Sequence, residues 1–475
     1  MLPSTGVGTP WLDDACSLVD AFRRGTISPL EALDASIEAV GASSLNAVSH
    51  TDFDRAREQA ASADVSLPFG GVPFGVKELE QVRGWPYTEA SLLFRDRISD
   101  HDQTSIVRLR AAGAVLAAQT TASEFGGINC TSTKLHGTTR NPWDTTRTPG
   151  GSSGGTAAGV AGALFPIATG SDGGGSIRIP AGFSGLFGLK ATYGRIPKGP
   201  AAGIEPLTSV LGCLSRSVRD TARFFDVCNG FDQRDPLSLP AVGGWEAGLG
   251  RHDLAGMTVA IVPDLGTARV RSEVADVVAG AAERLAKAAG LKVVDFEPSL
   301  PPLRGQWAMA GQVSFLVTLG VAYPDRIDDL SPEMRMGLDS ARERFNLERA
   351  ASIESYRRQL NEAMADLFEA ADFVMCSTNP DVAFAAAGPP PSTIPGADLI
   401  HEIGFSRAIM NNAALTAPSN MNGSPAMSVP AGIIDGLPVG LQVLAGHHRE
   451  PLLLDLALVA EKVLAWPKVA PGSPL

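Results

Sequence analysis

A run of glycine and serine between Thr148 and Arg195 constrains this chain more than any other stretch. It contains GGSSGG, in which Ser152 and Ser153 lie between paired glycines, and later DGGGS, which ends at Ser176. Glycine runs allow positive φ angles and leave backbone N–H groups unobstructed by Cβ atoms. The stretch therefore predicts a loop that cradles an anion or a developing oxyanion.

Composition narrows the classes of partner. The chain has 475 residues, of which 44% are hydrophobic and 19% charged, as in an ordinary globular protein. Its most apolar run, 157–169, is shorter than the roughly 20 residues of a membrane span and contains Gly159, Gly162 and Pro166. The net charge is −12 and no dense Lys/Arg cluster occurs. We therefore expect neither nucleic acid nor a membrane as partner.

The cysteines predict a reducing compartment. They are scattered, odd in number and free of CxxC spacing, which favours free thiols over a disulfide framework or a zinc site. The N-terminus has no basic segment followed by an apolar one, so it does not resemble a secretory signal. We expect a cytoplasmic protein without metal or cofactor. The five cysteines are Cys16, Cys130, Cys213, Cys228 and Cys376.

Alternating helix and strand signals indicate the α/β class. Three helices are predicted before residue 70, the second with a capping box at Ser28 and Glu31 and with Pro29 at its first position. GVPFGVKEL, from Gly71 to Leu79, alternates apolar residues as a strand does. Further strands are predicted far apart along the chain, so one sheet is expected to gather them. They lie near 115–120, 164–168, 258–262, 292–296, 373–376, 426–429 and 439–444, and helices are expected at 104–112, 273–289, 341–370 and 450–464.

Three familiar loops fit the glycine-serine stretch poorly. GxxxxGK[ST] is absent, which argues against a Walker-type phosphate site. DGGGSIR lacks the spacing and the acidic residue of a dinucleotide fingerprint. Gly150, Ser152 and Gly154 match G-x-S-x-G, but a nucleophile elbow needs an apolar strand before it, and the polar segment NPWDTTRTP stands there instead.

Ser176 follows a strand-like lead, ALFPIATGSDGGGS, and is therefore a candidate nucleophile that needs a base. The histidines lie mostly in polar, turn-like segments and are expected at the surface or at caps. Lys77, which ends a predicted strand, is an alternative, because burial lowers a lysine pKa toward neutrality. By itself, Lys77 fits a solvated strand end equally well. The seven histidines are His50, His101, His136, His252, His401, His447 and His448.

Taken together, GVPFGVKEL, GTTRNPWD, GGSSGG and SDGGGSIRIPAGFSGLFGLKAT resemble the amidase signature family. NMNGSPAMSVPAG and GLPVGLQVLAG resemble its C-terminal segments. The resemblance covers about residues 10–195 and 370–462 and is nearest to stand-alone bacterial amidases. It implies a single large domain with a central mixed, twisted β-sheet covered by helices on both faces. The parts would be an N-terminal helical layer (1–70), a signature core (71–230), a variable pocket-shaping part (231–372) and C-terminal strands and helix (373–475).

The resemblance also implies a Ser-cisSer-Lys triad. Ser176 would be the nucleophile, Ser152 a bridging serine after a cis Gly151–Ser152 peptide, and Lys77 the base. The oxyanion hole would be formed by the N–H groups of Gly173, Gly174, Gly175 and Ser176. Ser153, Asp172 and Arg178 would support the loop without reacting themselves.

Two positions depart from the family pattern, and neither removes a reacting atom. Glu78 stands where the family usually has Asp, and Gly173 replaces a larger residue. Pocket walls are expected from 126–132, 303–345 and 376–400, and Gly126 and Gly127 are candidate substrate-binding residues.

The expected activity is hydrolysis of a linear carboxylic amide through an acyl-enzyme, with aryl amides, carbamates or esters as further substrates. The alternative is the glutaminase component of a tRNA-dependent amidotransferase, although HEIGFSRAIMNNAALTAPSN lacks the tyrosine-leucine-aspartate pattern associated with such components. A catalytically silent relative fits less well, because all three triad positions are intact. The expected partner is a small amide, and the resemblance is compatible with a homodimer.

Overall fold

A sheet of eleven strands organises the residues that the computed structural model describes, which are 10–203 and 206–474. Two short two-stranded ribbons accompany it. The strands are β1 (Val48–Thr51), β2 (Pro73–Lys77), β3 (Val115–Thr120), β4 (Ser132–Thr133), β5 (Gly137–Thr138), β6 (Ile167–Asp172), β7 (Phe187–Lys190), β8 (Val210–Ser215), β9 (Thr258–Ile261), β10 (Lys292–Val293), β11 (Phe373–Ser377), β12 (Thr393–Ile394), β13 (Ala397–Asp398), β14 (Ala426–Ile434) and β15 (Leu437–Ala445).

The helices precede, connect and follow these strands. They are α1 (Ala15–Arg23), α2 (Pro29–Ala42), α3 (Phe53–Ala61), α4 (Thr104–Ala111), α5 (Gly154–Ala161), α6 (Arg178–Ser184), α7 (Val218–Cys228), α8 (Ser272–Ala289), α9 (Gln306–Ala310), α10 (Gln312–Leu319), α11 (Pro332–Glu343), α12 (Leu347–Ala370), α13 (Leu399–Ile403), α14 (Phe405–Ala414), α15 (Ala417–Asn422) and α16 (Glu450–Leu464).

The large sheet is mixed. Its order is β1-β3-β2-β6-β8-β7-β14-β15-β11-β9-β10. β3, β2 and β6 run parallel to one another, as do β11, β9 and β10, whereas the strands between these two groups pair antiparallel. Each of the four predicted segments contributes at least one strand to this sheet.

Both faces of the sheet are covered by apolar layers. Successive residues along a strand point to opposite faces, and in β15 the buried Val443 and Leu444 belong to different apolar clusters. Phe373 and Val374 of β11 divide in the same way. α8 and α16 pack against β14 in the cluster that contains Val443, whereas α6 packs against β14 and β15. The predicted α/β architecture, a central mixed sheet between helices, is therefore confirmed.

Local sequence signals are expressed as predicted in several elements. The side chain of Ser28 accepts a hydrogen bond from the Glu31 N–H, and the Glu31 carboxylate accepts one from the Ser28 N–H, which completes the capping box of α2. The predicted N-terminal helical layer also contains β1, an edge strand that pairs with β3. Among the described residues, no helix is long and apolar enough to cross a membrane.

Candidate active site

Lys77 is the last residue of β2, which lies between β3 and β6 in the parallel part of the sheet. All five residues of β2 are buried, and the Lys77 side chain is 0% exposed. The prediction of a strand ending at this lysine is confirmed. Because the strand is central, the ammonium end of the side chain cannot reach bulk water.

Three hydroxyl groups surround the Lys77 Nζ atom. It lies 2.8 Å from Ser152 Oγ, 2.8 Å from Ser153 Oγ and 2.9 Å from Ser171 Oγ. An ammonium donates three hydrogen bonds, whereas a neutral amine donates two and accepts one. The same three oxygens therefore satisfy Lys77 in either protonation state, so a proton can be exchanged without rearrangement of the cage.

Burial lowers the pKa of Lys77 to about 7, although the nearby carboxylates of Glu80, Asp172 and Glu78 raise it. Desolvation disfavours the charged form of an amine. Glu80 is itself buried, which raises its pKa to about 7 against the opposing effects of Thr169, Lys77 and Ser105. The site thus holds a lysine that can serve as a base near neutral pH.

The Gly151–Ser152 peptide bond is cis, as the resemblance implied. The loop is fixed on both sides of this bond: the Ser123 N–H donates to the Ser152 carbonyl at 3.1 Å, and Thr131 Oγ1 donates to the Gly150 carbonyl at 2.9 Å. A Cβ atom on Gly151 would come within 2.6 Å of the Cys130 nitrogen, so a larger residue does not fit. These contacts hold Ser152 against the lysine.

A buried ion pair closes the second glycine loop. Arg178, at the start of α6, donates from Nε to Asp172 Oδ2 at 3.0 Å and from Nη2 to Asp172 Oδ1 at 3.0 Å. Burial alone would raise the pKa of Asp172, but the guanidinium of Arg178 and the Asn420 amide hold it well below its usual range. Both ends of the loop that carries Ser176 are thereby fixed.

The loop N–H groups do not all remain available for a ligand. The Gly175 N–H donates to Asp172 Oδ1 at 2.7 Å, which removes it from the predicted oxyanion hole in this conformation. Within the described part of the chain, the N–H groups of Gly173, Gly174 and Ser176 have no protein acceptor. These three N–H groups are the remaining candidates.

Ser152 and Ser176 line one cavity of about 1260 Å³, together with Gly126 and Gly127. The cavity receives residues from each of the segments in which pocket walls were predicted. The described residues contain no group of three His, Cys, Asp or Glu side chains that could hold a metal ion. Lining residues from the predicted segments include Ile128, Asn129, Trp307, Phe315, Met334, Pro389 and Ser392.

Glu78, the residue that departs from the family pattern, lies beside the site without reaching the lysine cage. Its Oε1 accepts a hydrogen bond from the Ala122 N–H at 2.8 Å, and its Oε2 lies 2.8 Å from His136 Nε2. The Glu78 side chain is fully buried and that of His136 is 20% exposed. Glu78 therefore braces the segment after β3.

Sequence reasoning missed two residues that contact the site, Ser171 and Trp307. Ser171 was detectable, because residues two apart on a strand share a face, and Thr169 Oγ1, on the same strand, accepts the Lys77 N–H at 3.0 Å. Trp307 donates from Nε1 to the Gly173 carbonyl at 2.6 Å. It carries no local signal, because it lies in the variable part of the chain.

Comparison with known proteins accounts for this arrangement. A family model described as Amidase matches residues 30–454. A glutamyl-tRNA(Gln) amidotransferase subunit of Lacticaseibacillus paracasei is 32% identical over 470 residues, which cover 92% of each chain. An acylamidase of Rhodococcus erythropolis is 31% identical over 485 residues, which cover 98% of each chain.

Two solved structures superpose over nearly the whole chain. A bacterial aryl acylamidase has a TM-score of 0.90 at 26% identity and covers 98% of this chain and 99% of its own. The 6-aminohexanoate cyclic dimer hydrolase, in complex with its substrate, has a TM-score of 0.87 at 29% identity and covers 98% of this chain and 100% of its own. The protein therefore belongs to the amidase signature family and is a hydrolase of carbon–nitrogen bonds.

Proposed function

We propose that this protein hydrolyses a linear carboxylic amide, with Ser176 as nucleophile, Ser152 as proton relay and Lys77 as base. The observation that carries the proposal is the fully buried Lys77 amine, 2.8 Å from the Ser152 hydroxyl and with a pKa lowered to about 7. Ser152 and Ser176 line the same cavity, which supports a shared substrate site.

In the first half-reaction, neutral Lys77 accepts the proton of Ser152, which in turn accepts that of Ser176. The Ser176 oxygen bonds to the substrate carbonyl carbon, and the resulting oxyanion is stabilised by the loop N–H groups. The relay then returns the proton to the amine nitrogen as the C–N bond breaks. Water attacks the acyl-enzyme through the same relay, so that the acid is released and Ser176 regains its proton.

Labelling and turnover test this assignment together. Ser176→Ala is expected to abolish both labelling by a fluorophosphonate probe and amide hydrolysis. Ser209→Ala is the matched control, because Ser209 lines the same cavity and has no role in the relay. If Ser176→Ala retains wild-type turnover, the assignment is wrong.

The cavity supports substrates larger than a glutamine side chain. Its wall includes Phe125, Trp307, Phe315, Leu319 and Met334, an apolar surface suited to an aryl or alkyl group. Because amides, carbamates and esters share acyl-transfer chemistry, we expect all three to be accepted when they carry such a group. A panel of chromogenic anilides, carbamates and esters, run beside free glutamine, tests this preference.

The second candidate is the glutaminase component of a tRNA-dependent amidotransferase, which the relative from Lacticaseibacillus paracasei supports. This candidate requires glutamine as substrate and a stable protein partner. Affinity purification from the native host without such a partner, together with activity of the isolated chain on simple amides, favours the stand-alone hydrolase. Glutamine hydrolysis only in the presence of a copurifying partner favours the alternative.

We also propose a cytoplasmic location, which the five free, buried cysteines support. A homodimer is compatible with the family assignment. Sedimentation velocity of the purified chain measures the oligomeric state directly.

A further inference from the structure

Trp307 connects the variable part of the chain to the glycine loop before Ser176. It lies in the short helix α9, which follows Gly305, a residue with φ of 102°. The indole Nε1–H donates to the Gly173 carbonyl at 2.6 Å. Trp307 also lines the cavity with Ser152 and Ser176. One side chain thus contacts both the substrate space and the backbone that would hold the oxyanion.

The indole ring also explains the glycine at position 174. A Cβ atom on Gly174 would lie 2.6 Å from Trp307 Cζ2 and 2.9 Å from Nε1, too close for any other residue while the ring is present. At Gly173 the nearest atom to such a Cβ would be that of Ser209, at 3.7 Å, which is ordinary contact. Space therefore demands glycine only at Gly174, where the indole lies against the backbone.

Fixing the Gly173 carbonyl also fixes the Gly174 N–H, because the two groups belong to one planar trans peptide and point in opposite directions. The next carbonyl is fixed in the same way, since Thr416 Oγ1 donates to the Gly174 carbonyl at 2.6 Å. That second peptide contributes the Gly175 N–H, which Asp172 accepts. The Gly174 N–H, in contrast, has no acceptor among the described residues.

We propose that Trp307 is a positioning residue that aims the Gly174 N–H at the oxyanion of the tetrahedral intermediate. The inference rests on the proposed Ser176 mechanism, and it makes the variable part of the chain a contributor to catalysis as well as to substrate shape. A Trp307 that served only as cavity wall would affect substrate binding. A Trp307 that positions the donor affects the chemical step.

Trp307→Phe tests this distinction, because phenylalanine retains an aromatic ring against Gly174 but lacks the N–H. Removing an oxyanion donor outright costs about 10²–10³-fold in kcat, so loss of its alignment is expected to lower kcat for an anilide about tenfold, with KM nearly unchanged. Trp307→Ala is expected to lower kcat further. Trp143→Phe is the control, since it removes a similar indole bond, to the Ser184 carbonyl at 2.9 Å, outside the cavity.

A second readout separates positioning from packing. A substrate-like trifluoromethyl ketone forms a tetrahedral adduct with an oxyanion, whereas the matching alcohol does not. In Trp307→Phe, affinity for the ketone is expected to fall about as much as kcat, with affinity for the alcohol unchanged. Equal losses for both inhibitors, or a change confined to KM, would overturn the inference.

The two proposals fail in different ways. If wild-type protein is neither labelled by a fluorophosphonate nor active on any amide, the Ser176 mechanism itself is wrong. If wild-type protein is active, Ser176→Ala is inactive and Trp307→Phe retains wild-type kcat and ketone affinity, only the role of Trp307 is wrong. Circular dichroism and thermal melts of each variant establish that the fold is retained.

Discussion

The pH dependence of acylation follows from the burial of Lys77. Only the neutral amine accepts a proton, and its pKa is about 7. About one Lys77 in ten is then neutral at pH 6 and about one in a hundred at pH 5, whereas an exposed lysine is neutral in fewer than about one molecule in a thousand at pH 7. We expect kcat/KM for an uncharged anilide to rise with pH through a midpoint near 7 and to reach a plateau above about pH 8.

Glu80→Gln sharpens the experiment. The Glu80 carboxyl titrates in the same range as Lys77, so the wild-type midpoint belongs to the pair. Among the neighbouring charges, the Glu80 carboxylate contributes most to raising the pKa of Lys77. Its removal is therefore expected to move the midpoint to lower pH. Glutamine has nearly the same size, and Ser105 Oγ, 3.2 Å from Glu80 Oε2, can still bond to it.

The assay is a stopped-flow burst of released aniline between pH 5 and 10, normalised to the active-site concentration. Aliquots returned to pH 8 must recover full activity, which excludes acid unfolding as the cause of the loss. A wild-type profile that is flat down to pH 5, or that rises only above pH 9, refutes the assignment of a neutral buried lysine as base. A midpoint that moves upward in Glu80→Gln refutes the electrostatic argument.

Further predictions concern the cage, the ion pair and a cap. Ser152→Ala is expected to lower kcat by about 10²–10⁴-fold, as loss of general-base relay does, and Ser171→Ala by much less, because Ser171 contacts Lys77 without lying in the relay; steady-state kinetics compare the two. Asp172→Ala leaves the buried Arg178 charge unpaired and is expected to reduce the free energy of unfolding by about 3–5 kcal/mol. Arg57→Ala, which breaks the exposed pair with Asp34, is expected to change it by less than about 1 kcal/mol; urea denaturation measures both, and equal effects would contradict the burial argument. Ser28→Ala removes the α2 cap and is expected to cost about 1 kcal/mol, visible as a lowered urea midpoint.

Local signals in the sequence were sufficient where they did not depend on distant partners. The terminal helix was expected at 450–464 and α16 spans Glu450–Leu464. The long helix expected at 341–370 is instead two helices, α11 and α12. Asn346 ends the pattern, because its side chain accepts a hydrogen bond from the Arg349 N–H at 3.0 Å and begins α12 there. An N-cap residue was present in the sequence, but the apolar periodicity on either side of it obscured the break.

Elements that depend on distant pairing could not be predicted in this way. β1, with the sequence VSHT, has no apolar alternation and exists because it pairs with β3. β6 was expected at 164–168 and lies at Ile167–Asp172, after Pro166, where parallel pairing with β2 fixes its register. The lysine cage depends on this register, since Ser171 belongs to β6. Family resemblance identified Lys77, Ser152 and Ser176, but the contacts of Ser171 and Trp307 arise only in the folded chain.

The register of β2 against β6 connects the fold to the proposed chemistry. Phe74 pairs with Ile167 and Gly75 with Ala168. A Cβ atom on Gly75 would lie 3.0 Å from that of Ala168 and 3.0 Å from the Phe165 ring, so glycine allows the close approach of the two strands. Because a slip of one residue reverses which face each side chain occupies, this pairing also determines that Ser171 faces Lys77. The base is therefore positioned by the sheet, and the two glycine loops bring the hydroxyl groups to it.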